Sequence, residues 1–174
     1  MKFITTVFLF ILPFTLLAES SEWFIGLDAG ARISTSTINN SYIATPEYGI
    51  KVGIIEKNSR IYLGYTVAND TASDVSKVQS PYLALEGISN EFKVVAKSTA
   101  KFFLGVRLGA SVSEINNLST SAFLGGLQTG LVFMLPADFE IELAYRHYLI
   151  FNSNETNFDT GTIYTSLNYR FGAF

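Results

Sequence analysis

The side chains in this sequence that could do chemistry are mostly charged ones. The chain of 174 residues contains no cysteine and one histidine, His147. The absence of cysteine excludes a disulfide framework and a thiolate nucleophile, and a single histidine excludes a zinc site built from several histidines. The sequence also contains no glycine-rich phosphate loop. The charged side chains are therefore the main candidates, and ion pairing is the chemistry that they offer.

The overall composition limits the class of protein. Only 16% of the residues are charged, while 48% are hydrophobic, against about 25% charged residues in an ordinary soluble domain. A chain this apolar is not disordered, and its length suggests one domain. The net charge of −3 and a pI near 5.1 argue against a nucleic-acid partner, which would need a basic patch.

The charged residues sit inside segments of strict alternation. From Lys101 to Val112, apolar side chains occupy every second position, and glycine, serine and Arg107 stand among the residues between them. Such alternation predicts a β-strand with two unlike faces. Seven further segments show a similar pattern, which predicts eight strands in all; the segments are 22–33, 47–57, 60–69, 79–90, 101–112, 122–135, 139–149 and 161–171.

The connections between these segments alternate in length. Long connections rich in Ser, Thr, Asn and Asp are predicted at 33–46, 69–79, 113–121 and 151–160. Tight turns are predicted at 56–59 and 135–138, with a somewhat longer turn near 93–100. The segment "ISNEFKVVAKST" after the fourth strand could instead extend that strand or form a short helical piece. Long loops at one end and short turns at the other are typical of an antiparallel up-and-down barrel.

The composition of the two faces indicates which one is inside. Strands of about ten residues, tilted by about 45°, span the hydrocarbon layer of a membrane. An open sheet edge in lipid would leave unpaired backbone groups, so the strands must close. We therefore predict an all-β fold, an eight-stranded antiparallel up-and-down transmembrane β-barrel, with its apolar face toward lipid and its glycine-and-charge face toward the lumen.

The inward positions carry charges of both signs, with glycines that leave room for them. The predicted lumen charge network consists of Lys51, Arg60, Glu86, Arg107, Glu140, Glu142 and Arg146. Because a lone buried charge is very costly, Arg107 is expected to pair with Glu86 or Glu142. Asp28, Arg32 and Arg170 share the inward parity, but Asp28 and Arg170 could instead contact headgroups or solvent at strand ends.

Aromatic residues at outward positions predict two girdles at the membrane interfaces. One girdle, near the short-turn end, contains Trp23, Phe102, Phe139, Tyr169 and Phe171. The other, near the long-loop end, contains Tyr48, Tyr65, Phe123 and Tyr145. The alternative is a hydrophobic core with scattered aromatic residues.

The N-terminal segment predicts export. Lys2 precedes an apolar run from Phe3 to Leu17, and Ala18 stands before Glu19, as in a cleaved secretory signal peptide. We assign residues 1–18 to the signal peptide and residues 19–174 to the barrel. A single membrane anchor is the alternative, although the run is shorter than the roughly 20 residues that a spanning helix needs.

Several strands resemble those of a known family. The closing strand "LNYRFGAF", the pair "GLQTGLVFMLPADFEIELAYRHY" and the opening strand "WFIGLDAGARI" resemble the small OmpA/OmpX-like outer-membrane barrels. The resemblance implies insertion into the outer membrane of a Gram-negative bacterium by the outer-membrane assembly machinery. It also implies a C-terminal assembly signal formed by Tyr169, Phe171 and Phe174; Phe171 keeps the outward parity and Phe174 does not.

Some small outer-membrane barrels are lipid A deacylases or palmitoyl transferases, which use a histidine near a serine. Here His147 has outward parity, and no His-X-Ser pattern follows it. We therefore predict no enzymatic activity and no cofactor.

Two function classes remain open. The first is a structural or surface-interaction (adhesion-like) barrel that acts through extracellular loops, with outer-membrane lipids and lipopolysaccharide around its wall. The second is a narrow channel, although eight strands leave an interior that side chains just fill. A soluble lipocalin-like barrel with apolar residues inside is a third, weaker alternative. The partner of the loops cannot be named from the sequence.

Overall fold

The computed structural model describes residues 21–35, 42–69, 75–95, 98–115, 118–151 and 158–173, so the predicted signal peptide lies outside the described residues. These residues form only β-strands and their connections. The strands are β1 (Ser21–Thr35), β2 (Tyr42–Glu56), β3 (Ser59–Ala68), β4 (Val75–Ile88), β5 (Phe92–Val95), β6 (Ser98–Ile115), β7 (Leu118–Met134), β8 (Phe139–Phe151) and β9 (Phe158–Ala173). No helix within the described ranges is long and apolar enough to cross a membrane.

Eight of the strands close into one antiparallel barrel, as the sequence predicted. Each pairs with its neighbours in chain order, β9 returns to β1, and β4 pairs with β6. The short β5 pairs only with β6 among the described strands. Closure satisfies the backbone groups of every barrel strand on both sides over most of its length, which is the condition for a sheet in lipid.

The register fixes the geometry of the barrel. The backbone partners can be followed once around the barrel from Ile33, first to Gly161 on β9 and finally from Ile54 on β2. The path returns to β1 at Trp23, which is a stagger of ten residues. With about 3.3 Å per residue along a strand and about 4.8 Å between strands, this stagger corresponds to a strand tilt of about 40°, as in closed barrels.

The two faces of the barrel lie as the alternation predicted. Leu104, Val106 and Leu108 on β6 are exposed on the outer wall, whereas Phe103 and Arg107 between them are buried. The same alternation holds on the other barrel strands. A soluble barrel with an apolar interior is therefore wrong for this chain, because ten charged side chains are buried inside the barrel and most of the described leucines lie on its outer wall.

The strands extend further into the predicted long connections than the sequence suggested. The connection predicted at 113–121 is mostly strand, since β6 continues to Ile115 and β7 begins at Leu118. Likewise β2 begins at Tyr42, β4 at Val75 and β9 at Phe158. Hydrophobic alternation marks only the part of a strand that has an apolar outer face, and Ser and Thr residues continue the ladder beyond it.

The region after the fourth predicted strand forms a strand rather than a turn. Phe92 on β5 pairs with Ala100 on β6, directly below the β4 pair of Ile88 with Phe103. Ser89 bridges the gap, because its backbone N–H donates to the Phe102 carbonyl at 2.8 Å and its hydroxyl accepts from the Phe102 N–H at 2.9 Å. Strands β5 and β6 occupy all of the predicted turn at 93–100 except residues 96–97, which lie outside the described residues.

The last strand contains a β-bulge at Gly172. Trp23 pairs with Phe171 while the preceding Glu22 pairs with Ala173, so Gly172 is an extra residue. Its φ of 63° is in the left-handed region that favours glycine. The bulge shifts the alternation by one residue, so the simple parity that set Phe174 apart from Phe171 does not continue past Gly172. Phe174 itself lies outside the described residues.

Candidate functional site: the charged lumen

The lumen is lined by charged side chains in equal numbers. Among the described residues, five cations and five carboxylates are buried inside the barrel: Arg32, Lys51, Arg60, Arg107 and Arg146, with Asp28, Glu47, Glu86, Glu140 and Glu142. All seven residues of the predicted lumen charge network are in this set. Each lies at an inward position of its strand, where the alternation and the barrel closure together bring it to the axis.

Arg60 on β3 holds two carboxylates from different strands. Its Nη2 and Nε lie 2.5 and 2.6 Å from Oε2 of Glu86 on β4. Its Nη1 lies 2.5 Å from Oε1 of Glu142 on β8, across the lumen. Lys51 on β2 donates to the other oxygen of Glu142 at 2.7 Å. These four side chains, the central ion-pair cluster, tie together strands that are not neighbours in the sheet.

Neutral side chains complete the central ion-pair cluster. Tyr62 donates its hydroxyl to Oε1 of Glu86 at 2.6 Å, and Gln128 donates to the same carboxylate and to the Tyr62 hydroxyl. Asn168 donates to Oε1 of Glu142 at 2.5 Å. A buried ion pair is stable only when its remaining hydrogen-bonding positions are filled. These three residues are not part of the predicted lumen charge network, although their inward parity is visible in the sequence.

A second group of charges lies nearer the long-loop end. Arg146 contacts Asp28 through Nη1 at 3.2 Å and Glu47 through Nε at 3.3 Å, and its Cζ stands 3.8 Å from the ring centroid of Tyr164. Asp28 also lies 3.6 Å from Lys51. Asp28 is thus buried and paired within the lumen rather than placed against headgroups or solvent, and Glu47 joins the site although the sequence analysis did not select it.

Arg107 does not pair with Glu86 or Glu142, contrary to the expectation from the sequence. Both carboxylates are held by Arg60, which sits lower in the barrel. Arg107 instead donates through Nη1 to the Tyr148 hydroxyl at 2.8 Å, and its Cζ lies 3.4 Å from the ring centroid of Tyr82. No carboxylate in the described part of the chain forms an ion pair with it.

The environment of Arg107 is aromatic. The Tyr82 ring lies against Gly64, where an added Cβ would come within 2.7 Å of Cε1 of the ring, so glycine at this position makes room for the ring. A cation–π contact contributes up to about 2 kcal/mol when desolvated, whereas burial of an ion costs several kcal/mol. The aromatic contacts therefore offset only part of the cost of burying Arg107.

The short-turn end of the lumen opens into a cavity of about 230 Å³. Its charged lining comprises Glu22, Lys57, Lys101, Glu140 and Arg170, and β2, β4 and β7 contribute aliphatic side chains. Arg170 contacts Glu22 at 3.2 Å and Glu140 at 3.5 Å, and is partly exposed at this mouth. Glu140 also approaches Arg60 at 3.7 Å, so it links the mouth to the central ion-pair cluster.

The nine aromatic residues of the predicted girdles all lie exposed on the outer wall: Trp23, Tyr48, Tyr65, Phe102, Phe123, Phe139, Tyr145, Tyr169 and Phe171. Their contact with membrane interfaces remains a prediction. His147 shares this wall and lies against Tyr145, with the two ring centroids 6.4 Å apart. Within the described ranges, no group of three or more His, Cys, Asp or Glu side chains is placed to hold a metal ion.

The fold and the charged lumen together define a class: small eight-stranded barrels with an apolar outer wall and a polar interior. No family model and no curated protein matches the sequence. Among solved structures, Neisserial surface protein A superposes with a TM-score of 0.67 at 14% identity, over 88% of this chain and 100% of that one. Outer membrane protein H of P. aeruginosa, solved in DHPC micelles, superposes at 0.59 with 19% identity, over 86% and 99% of the two chains.

These two structures are small outer-membrane barrels, and this chain shares their fold. The predicted resemblance to the OmpA/OmpX-like barrels is thereby confirmed at the level of the fold.

Proposed function

We propose that this chain is an integral protein of the outer membrane of a Gram-negative bacterium, with a structural or surface-interaction role. The observation that carries the proposal is the distribution of side chains between the two faces of the barrel, which is the reverse of that in a soluble barrel. Leucines and aromatic residues cover the outer wall while ten charged side chains fill the interior. In water such a wall would be a very large exposed apolar surface, whereas in lipid it is the favourable arrangement.

The N-terminal sequence supports the export that this location requires. Residues 1–18 have the charge, the apolar run and the small residue before the cut that a signal peptide needs, and the C-terminal Tyr169, Phe171 and Phe174 supply an assembly signal. Partners in this proposal are outer-membrane lipids and lipopolysaccharide around the wall and the assembly machinery during insertion. No nucleic acid and no cofactor is involved.

The long strands support a role in display. The barrel strands run to 18 residues in β6 and 17 in β7, against about ten needed to cross the hydrocarbon layer. The outward residues at the upper end of β7 are Ser119 and Ser121 rather than leucines, and both are exposed. The sheet therefore continues past the apolar band at that end, as expected of a barrel that presents its loops outside the membrane.

The central ion-pair cluster favours this role over the narrow channel. Arg60, Glu86, Glu142 and Lys51 are each 1% exposed or less, and they bridge the lumen from β2, β3, β4 and β8. A conducting path would have to separate these charges, at a cost of several kcal/mol for each uncompensated ion. The barrel is thus an anchor whose contacts with the outside are made by its loops.

Cell fractionation tests the location. The mature protein is expected in the outer-membrane fraction, and an epitope inserted into 152–157 is expected to be accessible on intact cells. An epitope between Lys57 and Asn58 serves as the matched control and should become accessible only after the outer membrane is opened. Recovery of the mature protein in the soluble periplasmic fraction would contradict the proposal.

Planar bilayers test the filled lumen. The purified barrel should show no stable conductance steps, while Arg60→Ala, which opens the central ion-pair cluster, should raise the frequency of openings. Sustained conductance of the unaltered protein would favour the channel alternative.

A further inference from the structure

Arg107 is a buried cation whose hydrogen-bonding capacity is largely unused. It is 1% exposed, and Nη1 donates to Tyr148. Its Nε and Nη2 form no hydrogen bond within the described part of the chain. Arginine remains protonated in proteins, so the charge cannot be relieved by loss of a proton. Some other group must supply the missing acceptors.

Other buried donors in the lumen also lack acceptors among the described residues. Arg146 Nη2, the Tyr82 hydroxyl and the Thr162 hydroxyl are also buried without a hydrogen-bond partner in the described residues. Tyr82 lies under the Arg107 guanidinium, and Thr162 is the backbone partner of Arg146. Arg146 is linked to Arg107 through Glu47 and the Tyr148 hydroxyl, by contacts of 3.3, 3.2 and 2.8 Å.

Among the described residues, the buried charges of the barrel are balanced overall but not in its upper lumen, the part nearer the long-loop end. The described side chains there include three buried cations, Arg32, Arg107 and Arg146, against two carboxylates, Asp28 and Glu47. Both of these carboxylates contact Arg146. Among the described residues, the excess positive charge therefore lies in the same part of the lumen as the unused donors of Arg107.

We propose that the upper lumen binds one small inorganic anion, a halide or a compact oxyanion, between the guanidinium groups of Arg107 and Arg146. The anion would accept hydrogen bonds from Nε and Nη2 of Arg107 and neutralise the excess charge. Such charge-assisted bonds are the strong class of hydrogen bond. The near-complete burial of Arg107 selects a free ion over the phosphate of a lipid headgroup, which could not leave its lipid to reach this depth.

Linkage between anion binding and folding tests the proposal. The barrel is folded in a non-ionic detergent, which contains no lipid phosphate, and the equilibrium with the urea-unfolded chain is measured at constant ionic strength. The bromide concentration is varied by exchanging bromide for gluconate, an anion that is too bulky for the site. Once bromide exceeds its dissociation constant, each tenfold increase should raise the folding equilibrium constant about tenfold, the slope for one ion bound only to the folded state.

Two variants make the test specific. Arg107→Gln should abolish the bromide dependence. Arg170→Gln, the matched control, removes an arginine that has its own carboxylates at the other mouth, so it should keep the full slope. The proposal is overturned if the wild type shows no bromide dependence, or if Arg107→Gln retains it.

Anomalous diffraction from bromide-soaked crystals of the wild type gives a second measurement, which is independent of whether Arg107→Gln folds. The expected result is one bromide peak beside Arg107, above the central ion-pair cluster. A lumen with no peak at a saturating bromide concentration would mean that water alone occupies this position.

Discussion

Arg60 and Arg107 both point into the lumen, but they differ in whether a carboxylate contacts them. Arg60 holds Glu86 and Glu142 directly, whereas Arg107 lies between tyrosines without a carboxylate among the described residues. The sequence showed that both were inward, because parity depends only on spacing along the strand. It could not show which charges meet, since contacts across a lumen depend on the stagger and height of strands that are far apart in the chain.

Removing Arg60 should be strongly destabilising. Arg60→Met leaves two buried carboxylates without their main partner, with an expected loss of about 3–5 kcal/mol in the free energy of unfolding. The double variant with Glu86→Gln should recover part of that loss, giving a coupling energy of roughly 1–3 kcal/mol in a double-mutant cycle. Urea unfolding of the detergent-folded barrel measures all four proteins.

The matched cycle pairs Arg107→Met with the same Glu86→Gln. Its coupling energy should stay within about 0.5 kcal/mol, the scatter of independent sites. Coupling at Arg107 larger than at Arg60 would show that the assignment of partners is reversed.

Gly172 offers a test of the backbone at the last strand. Gly172→Ala puts a side chain on a residue with φ of 63°, at a cost of about 1–2 kcal/mol. Gly87→Ala is the control, because a Cβ there would meet only the Leu104 carbonyl oxygen at 3.9 Å and should leave stability unchanged or slightly higher. Equal effects of the two changes on urea unfolding would count against the bulge.

Within a single strand, hydrophobic periodicity predicts correctly which residues face outward, but it underestimates the length of the strand. Alternation placed Leu104 outside and Phe103 inside, as the structure has them. The sequence predicts a loop at the upper ends of β6 and β7, because Ser and Thr replace the apolar residues there. Backbone pairing extends these strands regardless, since a ladder needs hydrogen-bonding partners and not an apolar face.

A charged residue introduced on the outer wall should destabilise the folded barrel by an amount that depends on its distance from the bilayer midplane. Leu104 on β6 is 58% exposed on the wall, and Leu104→Arg should destabilise the folded barrel by about 2–4 kcal/mol in lipid vesicles, as an arginine near the bilayer midplane does. Leu104→Ala should cost less, because it introduces no charge.

Ser121→Arg is the matched control, since Ser121 has the same outward parity near the upper end of β7. Its expected effect is within about 0.5 kcal/mol, as for ordinary surface changes. If arginine is tolerated equally at both positions, the lipid band does not cover Leu104.

At the scale of the whole molecule, the fold follows from one physical conflict. The chain is too apolar on one face of every strand for water and too charged on the other for lipid. A closed barrel resolves both, because it turns the apolar faces outward and lets the charges neutralise one another inside. This is why the eight-stranded fold can be predicted from the spacing of apolar residues. The lumen contacts, the β5 strand and the bulge at Gly172 are visible only in the three-dimensional structure.

Lipid contact of the outer wall is the central claim, and Trp23 tests it directly. It is the chain's one tryptophan, is 37% exposed and belongs to the predicted girdle at the short-turn end. In vesicles whose acyl chains carry bromine, the fluorescence of Trp23 should be quenched, more by bromines near the headgroup than by bromines near the bilayer centre. Moving the reporter with Trp23→Phe and Leu104→Trp should reverse that order. Fluorescence unaffected by brominated lipid but quenched by aqueous iodide would contradict the account.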